Sequence, residues 1–289
     1  MIVRVLDDAY GEVALVDWMG DDARVVAAAR VSHGAAASEA RTPVADRALL
    51  RYLMAHEHTS PFEMCKLTVR VVAPLFVARQ WMRHRTFAYN EVSGRYTELP
   101  ERCYVPPAHQ VCAQSASNRQ GRAAVPMSAA DAGVVMREIV EENGDAHQTY
   151  RRLAHGDDAA LYDGVDANLL KPVARELARI VLPLSTYTEF YVTMDAHNLM
   201  RFLRLRLAPD AQWETRRYAQ ALAMLLHAWM PITYEAFRYY QVDGVRLSAG
   251  DVRTVRAWLA ADGNAADDSE ASGRERQRLR AIFGVSPSR

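Results

Sequence analysis

Gln80-Trp81-Met82-Arg83-His84-Arg85-Thr86-Phe87-Ala88-Tyr89-Asn90-Glu91-Val92-Ser93-Gly94-Arg95-Tyr96 is the densest polar stretch of the chain. The apolar run before it, opened by Ala73-Pro74, predicts a helix through about Arg85, so three cations gather at a helix end. On such a helix Gln80, Arg83 and His84 fall at i, i+3 and i+4 and share one face. The segment beyond carries Asn90, Glu91, Ser93 and Arg95 at near-alternate spacing; extended, it points Glu91, Ser93 and Arg95 to one side. Fork donors, a hydroxyl and a carboxylate together suit a phosphate and a heterocycle. Arg83-His84-Arg85 alone also reads as a solvated helix C-terminus, where cations complement the dipole. Trp81, Phe87, Tyr89 and Tyr96 interleave with those charges and point instead to stacking on a planar ligand or on single-stranded bases.

Upstream, residues 2–6 and 13–18 read as short strands and 21–30 as a helix. Thr42-Pro43 is a helix start, cap then proline, for a helix to about His56. Residues 62–72 alternate around Leu67, Val69 and Val71 as a half-buried strand does. Downstream, 86–107 is irregular and 108–127 reads as a mobile surface loop. Ser128-Ala129-Ala130-Asp131 resembles a capping box for a helix to about His155. Residues 156–166 form a turn-rich acidic insert, 169–182 a helix closed by Pro183, and 187–193 a strand. Asp195 caps a helix to Leu207, Pro209 starts another to about Met230, and 232–240 is a last core helix. After Arg246 two charged helical stretches flank a polar linker at 262–273. The class is α+β (mixed α/β), a helix-rich subunit with a small sheet, in two parts: 1–245 as the main domain and 246–289 as a charged helical extension.

On the 195–207 helix, at about 100° per residue, His197, Arg201 and Arg204 share one side. Leu199, Phe202 and Leu203 form the other, and Arg206 falls in its middle. A guanidinium there needs a partner, because an uncompensated buried charge costs several kcal/mol. Glu214 or Glu189 is the internal candidate; a ligand anion is the alternative.

Composition sets limits. The 289 residues carry 35 basic and 35 acidic side chains, so the chain lacks the basic excess of a default nucleic-acid binder. The acidic pair Asp7-Asp8 sits where a signal peptide needs its apolar run, and no stretch approaches the ~18–20 apolar residues of a membrane span. A cytoplasmic location is expected, with no membrane and no nucleic-acid partner. Three cysteines, Cys65, Cys103 and Cys112, lack CxxC pairing and predict neither a disulfide framework nor a cysteine zinc site. His56-Glu57-His58 is the nearest thing to a metal motif, but on a helix positions two apart do not share a face, and no metal is expected.

Arg83-His84-Arg85, seven residues and then Ser93 resembles the signature of the flavin-dependent thymidylate synthases. Further blocks match in the family's order over roughly residues 1–243: Ala29 to Ser32, His58 to Glu63, Pro74 through Trp81, Ala178 to Pro183, Leu199-Met200 through Arg206, and Ala211 to Glu214. The resemblance implies that family's fold and a homotetramer with FAD between subunits. It implies reductive methylation of dUMP to dTMP with 5,10-methylenetetrahydrofolate as one-carbon donor and NADPH as reductant of the flavin. Carried over by position, it places Ser32, His58, Ser60, Glu63, Arg83, His84, Arg85, Glu91, Asp195, His197 and Arg201 around FAD. It places Gln80, Arg83, Glu91, Ser93, Gly94, Arg95, Arg179 and Arg206 on dUMP, with Arg206 matching the arginine that activates the uracil ring.

The chain departs from the family pattern on the flavin side: Asn is usual at Asp195 and Arg201, Arg at His197, and His at Asp210. The extension after Arg246 and the 108–127 segment have no counterpart in that pattern. Without the resemblance, Ser32, Ser60 and Glu63 read as caps or turn residues and His58 as a hydrogen-bonded structural histidine. Arg175 and Arg179 read as a solvated helix face, and Tyr187, Phe190 and Tyr191 as core aromatics of a strand. Two other functions stand beside it. A flavin- and folate-dependent RNA methyltransferase would want a GxGxxG near the start and a basic surface, and neither is present. A single-stranded nucleic-acid module using the arginine and aromatic string is disfavoured by zero net charge. A cysteine nucleophile also fits poorly, since no cysteine stands beside an obvious base in sequence.

Overall fold

The computed structural model describes residues 1–34, 42–156, 171–260 and 273–285. In chain order the first unit, Met1–Phe237, runs β1 (Ile2–Arg4), β2 (Glu12–Met19), α1 (Asp22–Arg30), α2 (Pro43–Ala55), α3 (Ser60–Glu63), β3 (Lys66–Pro74), α4 (Leu75–Trp81) and β4 (Ala88–Glu91). It continues with β5 (Cys112–Gln114), β6 (Arg122–Pro126), α5 (Ala129–His155), α6 (Arg175–Ala178), β7 (Tyr187–Asp195), α7 (Ala196–Arg206), α8 (Trp213–Trp229) and α9 (Pro231–Phe237). The class is α+β, as expected.

Five strands form an antiparallel sheet in the order β1-β2-β3-β7-β4. Alternation decides its faces. Leu67, Val69, Val71 and Ala73 of β3 and Phe190, Val192 and Met194 of β7 are buried. On the other face Thr68 and Thr193 share a hydrogen bond of 2.9 Å and Arg70 pairs with Glu189 at 2.9 Å. The helices cover the apolar face. Trp81 at the end of α4 is fully buried, its ring 4.7 Å from Phe202 of α7 and 5.6 Å from Phe190. From α8, Tyr218 donates its hydroxyl to the carbonyl of Val72 at 2.7 Å, tying that helix to β3.

Several caps are the ones the sequence signals. Thr42 accepts from the amide of Ala45, Ser128 from Asp131, and Asp195 from Asn198. Other expectations need correction. β3 begins at Lys66, because residues 60–63 wind as a helical turn that buries Pro61 and Phe62. Pro74 ends that strand and is also the N-cap of α4, so the Ala73-Pro74 pair does open the helix, at Leu75. α4 stops at Trp81, short of Arg85. The irregular 86–107 segment contains β4, which pairs with β7. The 108–127 segment is a β5–β6 hairpin. Of its described part, 171–182, the expected helix is helical only from Arg175, after Pro172 has disfavoured helical backbone at Lys171. α8 starts at Trp213 and not at Pro209, whose carbonyl is taken by the guanidinium of Arg216 at 2.6 Å. The expected acidic insert beyond Gly156, the start of the 169–182 helix and most of the 262–273 linker lie outside the described residues.

The second unit, Arg238–Arg289, holds a π-helical turn (Arg238–Val242), α10 (Ala249–Ala260) and α11 (Gly273–Phe283). Ser248 and Asp251 cap α10 reciprocally at 2.8 and 3.1 Å. Trp258 and Leu279 are buried, with the Arg280 guanidinium 5.4 Å from the Trp258 ring. No described helix is long and apolar enough to cross a membrane.

Candidate active site

The end of α4 sets the site. After Trp81 the chain makes two tight turns, His84 N to Trp81 O at 2.8 Å and Phe87 N to His84 O at 3.2 Å. The helix-terminal carbonyl of Trp81 is satisfied by the hydroxyl of Tyr89 at 2.6 Å. Gln80, Arg83 and His84 therefore do not share a helix face as expected; what joins Gln80 to His84 is a third residue. Arg206, at the last turn of α7, donates from Nε to Nε2 of His84 at 3.2 Å and from Nη2 to the carbonyl of Gln80 at 3.4 Å. The His84 ring stacks on Phe87 at 5.7 Å and meets Phe202 edge-on at 4.7 Å. Burial, then the charges of Arg206 and Arg201, pushes its pKa down to about 4, so it is neutral at pH 7. Burial likewise lowers the pKa of Arg206.

Neither expected internal carboxylate meets Arg206. Glu189 pairs with Arg70 at 2.9 Å, and Glu214 with Arg122 at 2.5 Å. Among the described residues this half-buried guanidinium has no acidic partner.

A second group lies beyond β4. Glu91, the last residue of that strand, accepts from the hydroxyl of Thr188 at 2.7 Å. It borders a cavity of about 520 Å³ together with Gly94, Arg179, Arg79 and apolar side chains including Leu75, Leu182 and Leu184. Gly94 lies close against this arginine: a Cβ there would stand 3.2 Å from Cδ of Arg179, a tight contact. Arg79 and Arg179 are exposed and have no acidic partner among the described residues. Ser93 and Arg95 are not extended beside Glu91 as expected. They begin a turn in which Ser93 Oγ accepts from the amide of Arg95 at 3.2 Å, and Arg95 pairs with Glu176 at 3.0 Å. A further cavity of about 650 Å³, lined by Arg4, Arg70, Arg102 and Tyr10 among others, has Glu91, Val92 and Thr188 in common with the first. Glu91 thus stands on a wall shared by two cavities.

The remaining flavin candidates sit on neighbouring elements. Ser32 is exposed in the 3-10 turn after α1, and His58 lies 5.7 Å from the ring of Tyr52. Ser60 and Glu63 belong to α3, which packs on both α1 and α7; Glu63 accepts from Thr59 at 3.2 Å. Ser60 is not the cap of that turn, so the capping reading does not account for it. Asp195 does cap α7, both oxygens held by Asn198 at 2.8 and 2.7 Å. His197 and Arg201 follow on α7. Arg83 and Arg85 are exposed, and among the described residues no hydrogen bond or ion pair joins them to Ser32, His58, Ser60 or Glu63.

Sequence reading missed Arg79, which a helix places away from Gln80, and it misjudged Cys103. The Cys103 thiol lies 3.2 Å from Nε2 of His147, a histidine 44 positions away with no sequence signal linking them. Burial raises the thiol pKa and lowers that of His147, so the pair is a neutral hydrogen bond, not a thiolate–imidazolium nucleophile. Cys65 is buried, its pKa pushed up to about 11 by burial.

Residues 14–232 match the family described as thymidylate synthase complementing protein. A flavin-dependent thymidylate synthase of Gluconobacter oxydans is 44% identical, over 97% of this chain and 86% of the relative. One from Rickettsia conorii is 37% identical, over 98% of this chain and 93% of the relative.

The chain belongs to the flavin-dependent thymidylate synthase family.

Among solved structures, the UMP/dUMP methylase PolB from Streptomyces cacaoi, bound with 5-Br dUMP, is similar at a TM-score of 0.70 and 35% identity, over 83% of this chain and 98% of that one. Coverage of 97% of this chain by the Gluconobacter flavin-dependent thymidylate synthase necessarily takes in most of the segment after residue 245. The extension expected to lack a counterpart is therefore shared with that relative.

Proposed function

We propose that the Gln80–His84–Arg206 cluster and the Glu91–Arg179 cavity are two parts of one dUMP site, assembled between subunits of a homotetramer. The protein is a flavin-dependent thymidylate synthase. It converts dUMP to dTMP, taking the carbon from 5,10-methylenetetrahydrofolate and the reducing equivalents from NADPH, with loss of the proton at uracil C5.

The observation that carries the site is the half-buried guanidinium of Arg206, served among the described residues only by a neutral histidine and a backbone carbonyl. Such a cation is matched by a ligand in which negative charge develops, and a uracil ring activated at C5 is one. Arg179 and Arg79 offer fork donors to the phosphate, with Gly94 leaving room for Arg179. Glu91 is held by Thr188 as a fixed acceptor on the cavity wall. Gln80, Arg83, Ser93 and Arg95 complete the dUMP set.

The residues present fit FAD. Arg83, Arg85 and Arg201 are exposed and without acidic partners among the described residues, as suits a pyrophosphate shared with a neighbouring subunit. Ser32, His58, Ser60, Glu63, His84, Glu91, Asp195 and His197 would hold the rest of it. Bound FAD would carry reducing equivalents from the nicotinamide to the transferred carbon. The neutral His84, its ring packed between Phe87 and Phe202, accepts from Arg206 without neutralising its charge. Residues 1–245 carry this site, 246–289 form an extension outside it, and the enzyme works in the cytoplasm.

Colour is the direct test. The purified protein should be yellow, or become so with FAD, and NADPH should bleach the visible band. A protein that stays colourless and gains no bound flavin overturns the proposal.

A further inference from the structure

A line of four side chains runs from the β5–β6 hairpin to Gln80. Glu214 is fully buried; its Oε1 accepts from Arg122 at 2.5 Å and from the hydroxyl of Tyr104 at 3.0 Å. Its Oε2 accepts from the amide nitrogen of Gln212 at 3.0 Å. The amide oxygen of Gln212 in turn accepts from the amide nitrogen of Gln80. Each orientation follows from the one before. A carboxylate paired with a guanidinium is only an acceptor, so Gln212 must turn its NH₂ to Glu214 and its oxygen to Gln80. Gln80 must then turn its own NH₂ to Gln212, and its amide oxygen is left without a partner among the described residues.

We infer that Arg122, Glu214 and Gln212 are positioning residues that fix the hydrogen-bond sense of Gln80, so that it offers an acceptor to the N3–H of uracil and selects uracil over cytosine nucleotides. The inference rests on the proposed dUMP site. It is placed there because Arg206, the cation assigned to the ring, also binds the backbone carbonyl of Gln80. Uracil carries a donor at N3 and cytosine an acceptor, so a Gln80 of fixed polarity gains a bond with one and opposes two lone pairs with the other. Sites built to bond a group discriminate strongly against an analogue with the wrong partner.

Gln212→Leu tests this, because Gln212 is exposed just before α8 and its loss leaves the buried Arg122–Glu214 pair intact. Affinities of the FAD-loaded enzyme for dUMP, directly, and for dCMP, by competition, should be compared with wild type. The expected result is roughly a tenfold fall in the preference for dUMP over dCMP, with dUMP bound more weakly and dCMP more tightly because the freed Gln80 amide can turn its NH₂ to N3 of cytosine, at unchanged flavin absorbance. Loss of both nucleotides in parallel, or no change in either, overturns the inference while leaving the dUMP site standing. A wild-type enzyme that binds no dUMP removes the function on which the inference rests, and the inference with it.

Discussion

Arg206 donates its Nε–H to the bare Nε2 of His84 across 3.2 Å, and no carboxylate among the described residues shares that cation. Arg206→Ala should therefore leave fold and flavin absorbance nearly intact. It should cost dUMP affinity and about a hundredfold or more in turnover, the scale for removing one fixed donor from a developing anion. Arg206→Lys should also be poor, since an ammonium cannot serve ring, histidine and carbonyl through a planar fork. Unfolding of the alanine variant, or wild-type dUMP binding by it, makes Arg206 a structural residue.

The same contact predicts a pH effect. His84 has its pKa depressed from 6.5 to about 4 in the folded chain, so between those values the unfolded chain binds more protons. The stability tied to neutral His84 is complete above about pH 6.5 and lost as pH falls toward 4. Denaturant midpoints of the flavin-free protein should fall over that window, and less steeply in His84→Gln. Parallel curves for the two proteins would show that His84 does not titrate as described.

Thiol chemistry should be dispensable. The triple variant Cys65→Ala, Cys103→Ala, Cys112→Ala should retain most activity, at a stability cost of about 1 kcal/mol for the lost Cys103–His147 hydrogen bond, and more for the cavity at buried Cys65. Full loss of turnover in a folded, flavin-loaded triple variant contradicts a flavin-only mechanism.

Assembly and flavin should be linked. With the pyrophosphate candidates Arg83 and Arg85 exposed on the single chain, FAD should raise Tm in proportion to its binding free energy, and dilution to monomers should release it. A monomer in gel filtration that keeps stoichiometric FAD contradicts an interface site.

What was legible in the sequence was local. Thr42-Pro43, Ser128 and Asp195 act on backbone amides three residues away, and the alternation of Leu67, Val69 and Val71 reports one sheet face directly. The end of α4 was not legible. It depends on Trp81 filling a core built with Phe190 and Phe202, and on the Tyr89 hydroxyl reaching back to cap its carbonyl. β4 is short, and only its pairing with β7 makes it a strand. The 108–127 segment reads as polar loop until Arg122 is seen on Glu214, 92 positions away. Nothing near Arg206 could announce that Glu189 and Glu214 are already committed to Arg70 and Arg122. The extension after residue 245 has no motif that assigns it a role.

Tritium release from 5-tritiated dUMP, with NADPH, 5,10-methylenetetrahydrofolate and FAD, tests the central claim most directly. Tritium should appear in water in step with dTMP, require every component, and fall by about two orders of magnitude in Arg206→Ala. A folded, flavin-loaded wild-type enzyme that releases no tritium and forms no dTMP would contradict it.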